Sequence, residues 1–120
     1  MIPMRMLTRR ILSSSVVNTQ MRSVSTVEVV KRDDGVANVT LNSPRTRNTL
    51  SLETMKTMIE EISSLGEDQS VRSIVLRGEG KVFSSGHNLK ELTPDSGFNH
   101  MEIFNTCERL MMLVSEVRFL

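Results

Sequence analysis

The chain has 120 residues, with 15 Lys and Arg against 14 Asp and Glu, and is 38% hydrophobic and 24% charged. This is room for one domain of ordinary globular composition. The single cysteine, Cys107, excludes an internal disulfide framework, and a net charge of +1 argues against a nucleic-acid binder held by bulk electrostatics. No apolar run reaches the roughly 18 residues that a membrane span needs.

Residues 1–26 carry Arg5, Arg9, Arg10 and Arg22 and no acid, which leaves 11 basic against 14 acidic residues, a net −3, for the rest. With Ser13, Ser14, Ser15, Ser23, Ser25 and Thr26 among the arginines, this stretch fits a mitochondrial transit peptide that would direct the chain to the matrix. A basic tail without a sorting role is the alternative. Ile11-Leu12 followed by three serines is too short an apolar core for secretion.

The folded domain is expected over 27–120. Val27–Lys31 is rich in β-branched valine, and Val36–Asn42 alternates Ala37, Val39 and Leu41 with Asn38, Thr40 and Asn42. Two strands around Asp33-Asp34-Gly35 read as a hairpin, which Pro44 ends because proline cannot donate to a ladder. Ser51 suits an N-cap, and Leu52, Met55, Met58, Ile59, Ile62 and Leu65 recur at helical spacing up to Gly66, placed as a C-terminal cap. Val71–Arg77 contains Ile74-Val75-Leu76, a continuous apolar run of the kind found in a strand covered on both faces. Strand, helix and strand in that order imply a crossover with parallel strands, so the class is α/β.

Gly78–Gly86 reads as a loop, His87–Leu92 as a short helical turn, and Thr93–Gly97 as a breaker. A final helix over Phe98–Val114 would bury Met101, Phe104, Cys107, Leu110, Met111 and Val114, and Glu116–Leu120 would lead into a further strand. Ligands of open α/β sheets collect at the carboxyl ends of parallel strands, so the loop 78–92 is the place for chemistry. Gly80-Lys81 is no phosphate loop, since Val82 follows where Ser or Thr is needed. Ser84 and Ser85 do not sit in a nucleophile elbow. His87 is a general base by residue type alone, with no carboxylate of matching spacing.

Val39-Thr40-Leu41-Asn42-Ser43-Pro44, then Asn48-Thr49-Leu50, then Phe83-Ser84-Ser85-Gly86-His87-Asn88-Leu89-Lys90-Glu91-Leu92 resemble the enoyl-CoA hydratase/isomerase (crotonase) superfamily in order and spacing. The resemblance implies the N-terminal portion of a crotonase-like spiral of β-β-α units, incomplete and C-terminally truncated. It implies a mitochondrial acyl-CoA-handling protein of fatty-acid metabolism, enoyl-CoA hydratase-like, in which this chain lacks the catalytic half. It implies that the backbone N–H of His87 belongs to an oxyanion hole. Arg45, Arg47, Asn48, Ser85, Gly86, His87, Asn88, Leu89 and Lys90 would line the acyl-CoA cleft, with Arg45, Arg47 and Lys90 facing the CoA phosphates or standing solvated. Glu91, Glu102 and Glu108 match no catalytic position and read as solvated helix faces. No metal and no cofactor is implied beyond the CoA thioester itself. The alternatives are a non-catalytic acyl-CoA-binding or subunit-pairing fragment, able to dock on intact subunits of a commonly trimeric family, and an unrelated α/β interaction domain.

Overall fold

The computed structural model describes residues 26–117. The expected transit peptide therefore lies outside the described residues except for Thr26, as do positions 118–120 of the expected last strand.

Strands β1 (Val27–Lys31), β2 (Val36–Leu41) and β3 (Ser73–Gly78) form one sheet in that order. The β1–β2 pair is the expected antiparallel hairpin, with Val29 opposite Val39. Its turn is closed by the Arg32 N–H on the Val36 carbonyl at 2.8 Å and by the Val36 N–H on the Asp34 carboxylate at 3.1 Å. The expected crossover is also present: β2 and β3 run parallel, with Val39 opposite Leu76. Strand side chains alternate between faces, so Val27, Val29, Ala37, Val39, Leu41, Ile74 and Leu76 share one side.

That side is covered by helix α1 (Leu52–Gly66), which buries Met55, Met58, Ile62 and Leu65 against it. Ala37 and Met55 are completely enclosed. Truncation of a side chain held like Met55 costs about 2–5 kcal/mol. Ser51 caps α1 as expected, its hydroxyl accepting the Thr54 N–H at 3.1 Å. Gly66 does not form a left-handed cap. It is the last helical residue, and Glu67 follows in right-handed conformation. What position 66 lacks is space, since a Cβ there would stand 2.8 Å from Val117 Cγ2.

Three further expectations need correction. Strand β3 is covered on one face only: Ile74 and Leu76 are half-buried while Val75 is 42% exposed, because α1 shields a single side of the sheet. The helical turn begins at Leu89 and is a 3-10 helix, Leu89–Leu92; His87 instead forms a parallel bridge with Leu50. The last helix, α2 (His100–Glu116), starts behind the Asn99 cap and buries Ile103, Thr106 and Leu110, with Cys107 and Leu113 packed beside them. Met101, Phe104, Met111, Met112 and Val114 are exposed. The helix carries apolar residues on two sides, and α1 covers the side that includes the polar Thr106.

At the foot of α1 the connector is pinned to the sheet. Lys31 Nζ lies 2.8 Å from Asp68 Oδ2, and Ser70 donates its hydroxyl and N–H to Asp68 Oδ1 at 2.6 and 2.9 Å. Lys31 first, then Ser70, holds the Asp68 carboxyl well below the usual carboxylate range. A carboxyl depressed on folding contributes stability that is complete above its unfolded pKa, about 3.9, and is lost as pH falls through its folded value. Asp68→Asn is therefore expected to lower the melting temperature slightly at neutral pH, with the gap to the parent closing in strong acid. Thermal melts across the acid range check it, and a gap constant down to the lowest pH would contradict the assignment.

Candidate functional site

Strand β2 runs out at Leu41 into Asn42-Ser43 and a 3-10 turn, Pro44–Thr46, with proline in the first turn, where its missing N–H costs nothing. Arg47 and Asn48 follow with φ of 59° and 57°. Two successive non-glycine residues in the left-handed region are uncommon, and asparagine tolerates it better than arginine. The backbone is held there by the Asn48 side chain, which is 2% exposed. Asn48 Oδ1 accepts the Ser43 N–H at 2.8 Å, and Nδ2 donates to the carbonyls of Glu79 at 2.9 Å and Val82 at 3.0 Å. One amide thus joins the exit of β2 to the loop that leaves β3.

The loop 79–87 is gripped at further points. The Ser84 hydroxyl donates to the Asn48 carbonyl at 2.7 Å and accepts the Gly86 N–H at 3.1 Å. The Ser85 N–H donates to the Arg47 carbonyl at 2.9 Å, and the Leu50 N–H to the Gly86 carbonyl at 2.8 Å. Gly86 has φ 98°, and a Cβ added to it meets nothing within 4 Å, so backbone conformation and not crowding calls for glycine. In a parallel pair, alternate residues turn their own N–H away from the partner. His87 is such a residue, and among the described residues its N–H has no backbone acceptor. The His87 ring stands edge-on to Phe104, centroids 5.6 Å apart and planes at 79°, with Nδ1 buried and unpartnered.

Glu91 is not on a solvated face. It is 8% exposed, and its Oε1 accepts the Leu52 N–H at 2.9 Å, adding a second acceptor to the N-terminus of α1. A carboxylate suits that end of a helix, where unpaired N–H groups carry partial positive charge. Glu102 is exposed and bonded to Lys56 at 2.9 Å, and Glu108 is exposed.

The expected site residues divide between two openings. Asn88 and Glu91, with Ser51, Leu52, Lys56 and Phe98, border a groove of about 680 Å³ at the start of α1. Arg47, with Pro44, Gly80 and Lys81, borders a cleft of about 330 Å³. Arg45, Ser85, Leu89 and Lys90 are exposed and border neither. Gly86 and His87 are half-buried, and Asn48 is wholly committed to backbone. Among the described residues no group of three His, Cys, Asp or Glu side chains could hold a metal ion, and no helix is long and apolar enough to cross a membrane. What this arrangement presents is a fixed backbone donor, a group that can stabilise negative charge developing on a carbonyl oxygen.

The model of the enoyl-CoA hydratase/isomerase family matches residues 31–119, and the chain belongs to that family. It is 45% identical over 71% of its length to enoyl-CoA hydratase domain-containing protein 3, mitochondrial, of Xenopus laevis, and 42% identical over 66% of its length to the Homo sapiens protein of that name. The crystal structure of the human protein superimposes with a TM-score of 0.68 at 40% identity, covering 72% of this chain and 34% of that one. An enoyl-CoA hydratase from Mycobacterium smegmatis superimposes with a TM-score of 0.70 at 31% identity, covering 77% and 36%. The α/β fold is accordingly crotonase-like over about three quarters of the chain, as expected. The chain spans 29% of the length of the Xenopus relative and 26% of the human one.

Three roles escaped the sequence reading: Asn48 as a stitch, Ser84 as a clamp and Glu91 as a cap. Ser-x-Gly is a recognisable short serine turn, so the Ser84 bond to Gly86 had a local signal. The Asn48 bonds to Glu79 and Val82 and the Glu91 bond to Leu52 span 31 to 39 residues and had none. Replacing Asn48 by Ala removes three hydrogen bonds at a buried site and strains the backbone; the expected loss is about 2–4 kcal/mol in denaturant titration. Asn48→Gly keeps the left-handed backbone, so it should lose less than Ala but still more than about 1 kcal/mol. Equal stability of Asn48→Gly and the parent would show that the amide contributes nothing.

Proposed function

We propose that the chain handles acyl-CoA thioesters in mitochondrial fatty-acid metabolism as an enoyl-CoA hydratase-like protein, receiving the thioester carbonyl at the His87 N–H. The observation that carries this reading is the His87 amide itself, half-buried, without a backbone acceptor, and fixed by the Leu50 N–H on the other end of its peptide group. A carbonyl gaining enolate character is stabilised by a donor that needs no reorganisation. Family membership supports CoA thioesters as the ligand class. Arg47 beside Lys81 offers cationic groups for phosphates, and Arg45 and Lys90 extend that charge along the loops. The matrix destination draws support from the acid-free, arginine-bearing residues 1–26, proposed as a transit peptide, and from the mitochondrial relatives.

Water activation is not assigned to the described loop. Glu91 is the one acid of the 87–92 segment, and it is engaged with Leu52. The role proposed for the described residues is therefore binding and polarisation of the thioester carbonyl, without turnover. A subunit-pairing role is favoured by one separate observation, the exposed Met101, Phe104, Met111 and Met112 of α2.

Hexanoyl-CoA is expected to raise the melting temperature, with about 2.7 kcal/mol of added stability at a hundredfold excess over Kd. Crotonyl-CoA absorbance should stay flat at high protein concentration. An unchanged melt at saturating ligand would remove the binding proposal, and a falling absorbance trace would replace it with a hydratase.

A further inference from the structure

We infer that Ser84 is a positioning residue for the His87 N–H, a role that rests on the thioester reading above and goes beyond it. The peptide between Gly86 and His87 is planar and trans, so the Gly86 carbonyl and the His87 N–H point in opposite directions from one rigid unit. The Leu50 N–H holds the carbonyl end at 2.8 Å. One bond leaves the plane able to pivot about its own axis, and a second point of attachment is needed to stop it. Ser84 provides it. Its hydroxyl accepts the Gly86 N–H at 3.1 Å, one residue before the donor, and is itself anchored by donating to the Asn48 carbonyl at 2.7 Å.

The order of these bonds matters. The Asn48 backbone cannot drift, because its side chain is tied to Ser43, Glu79 and Val82. The hydroxyl therefore passes the rigidity of a buried, left-handed residue to Gly86, whose own φ of 98° is open to many conformations in a free chain. The Leu50 bond has a second effect: a carbonyl that accepts a hydrogen bond polarises its peptide, and the N–H at the far end becomes a stronger donor. Ser84 restricts the angle of that donor, its single O–H being spent on the Asn48 carbonyl.

A positioning residue changes recognition of the carbonyl and leaves recognition of the rest of the ligand alone. The test compares hexanoyl-CoA with S-hexyl-CoA, a thioether of the same length that lacks the carbonyl, by titration calorimetry on the full chain. The parent is expected to prefer the thioester about tenfold. In Ser84→Ala the preference should fall to about twofold while S-hexyl-CoA affinity is unchanged, and Ser84→Thr should restore it. The stretching band of the bound thioester carbonyl should shift less toward low frequency in Ser84→Ala than in the parent.

Equal losses for both ligands would reduce Ser84 to a structural residue, and a full tenfold preference in Ser84→Ala would deny it any role. If the parent itself shows no preference, the thioester reading fails and this inference with it. Should Ser84→Ala melt below the assay temperature, Ser84→Cys keeps the bulk with a weaker hydrogen-bonding group, and the same ligand pair decides the question.

Discussion

The structure turns on the buried carboxamide of Asn48. Hydrophobic burial assembles α1 on the sheet, but that force is non-directional and tolerates small shifts of one element along another. A buried amide does not. Left without partners it costs a few kcal/mol, and it finds all three only when the end of β2 and the loop after β3 stand in one relation. The left-handed turn at Arg47–Asn48 is sustained by that requirement, and the positions of Ser84, Gly86 and His87 follow from it. The core sets where the loops are; the amide sets how they face.

Around that point the molecule is layered unevenly. One face of the sheet is closed by α1, and the other leaves Val30 and Val75 exposed. Helix α2 repeats the asymmetry, with one apolar stripe packed on α1 and a second facing outward. The N-terminus of α1 is where the two regions meet. Ser51 caps it from within its own segment and Glu91 from the loop, so the helix that completes the core also anchors the segment after His87.

Much of this was legible from the chain. The β1–β2 hairpin, the cap at Ser51, the face of α1 and the parallel pairing of β3 all follow from short-range patterns of period and punctuation, and the two loop motifs disclosed the family. The errors have physical causes. Ile74-Val75-Leu76 looks the same whether one or two faces are covered, because a run of apolar residues records tolerance of burial and not the burial itself. On α2 the outward stripe holds larger apolar residues than the inward one, and Thr106 disguised the packed face. Glu91 looked like one more surface acid, since its partner lies 39 positions away. The expected cleft residues fall on two loops of the sequence, in which Asn48 serves the scaffold and the cationic side chains are spread over open surface.

The reach of these bonds bears on the order in which the molecule assembles. The hairpin and α1 close on themselves locally and can form early, whereas the Asn48 and Glu91 contacts link segments 31 to 39 residues apart and must wait until the intervening helix has docked and the chain entropy of those loops has been given up. The His87 donor depends on bonds of similar reach, the Leu50 N–H on the Gly86 carbonyl and the Ser84 hydroxyl on the Asn48 carbonyl. The orientation of that one amide is thus tied to contacts of the same reach as the β2–β3 pairing, and it is present only where the long-range structure is present as well.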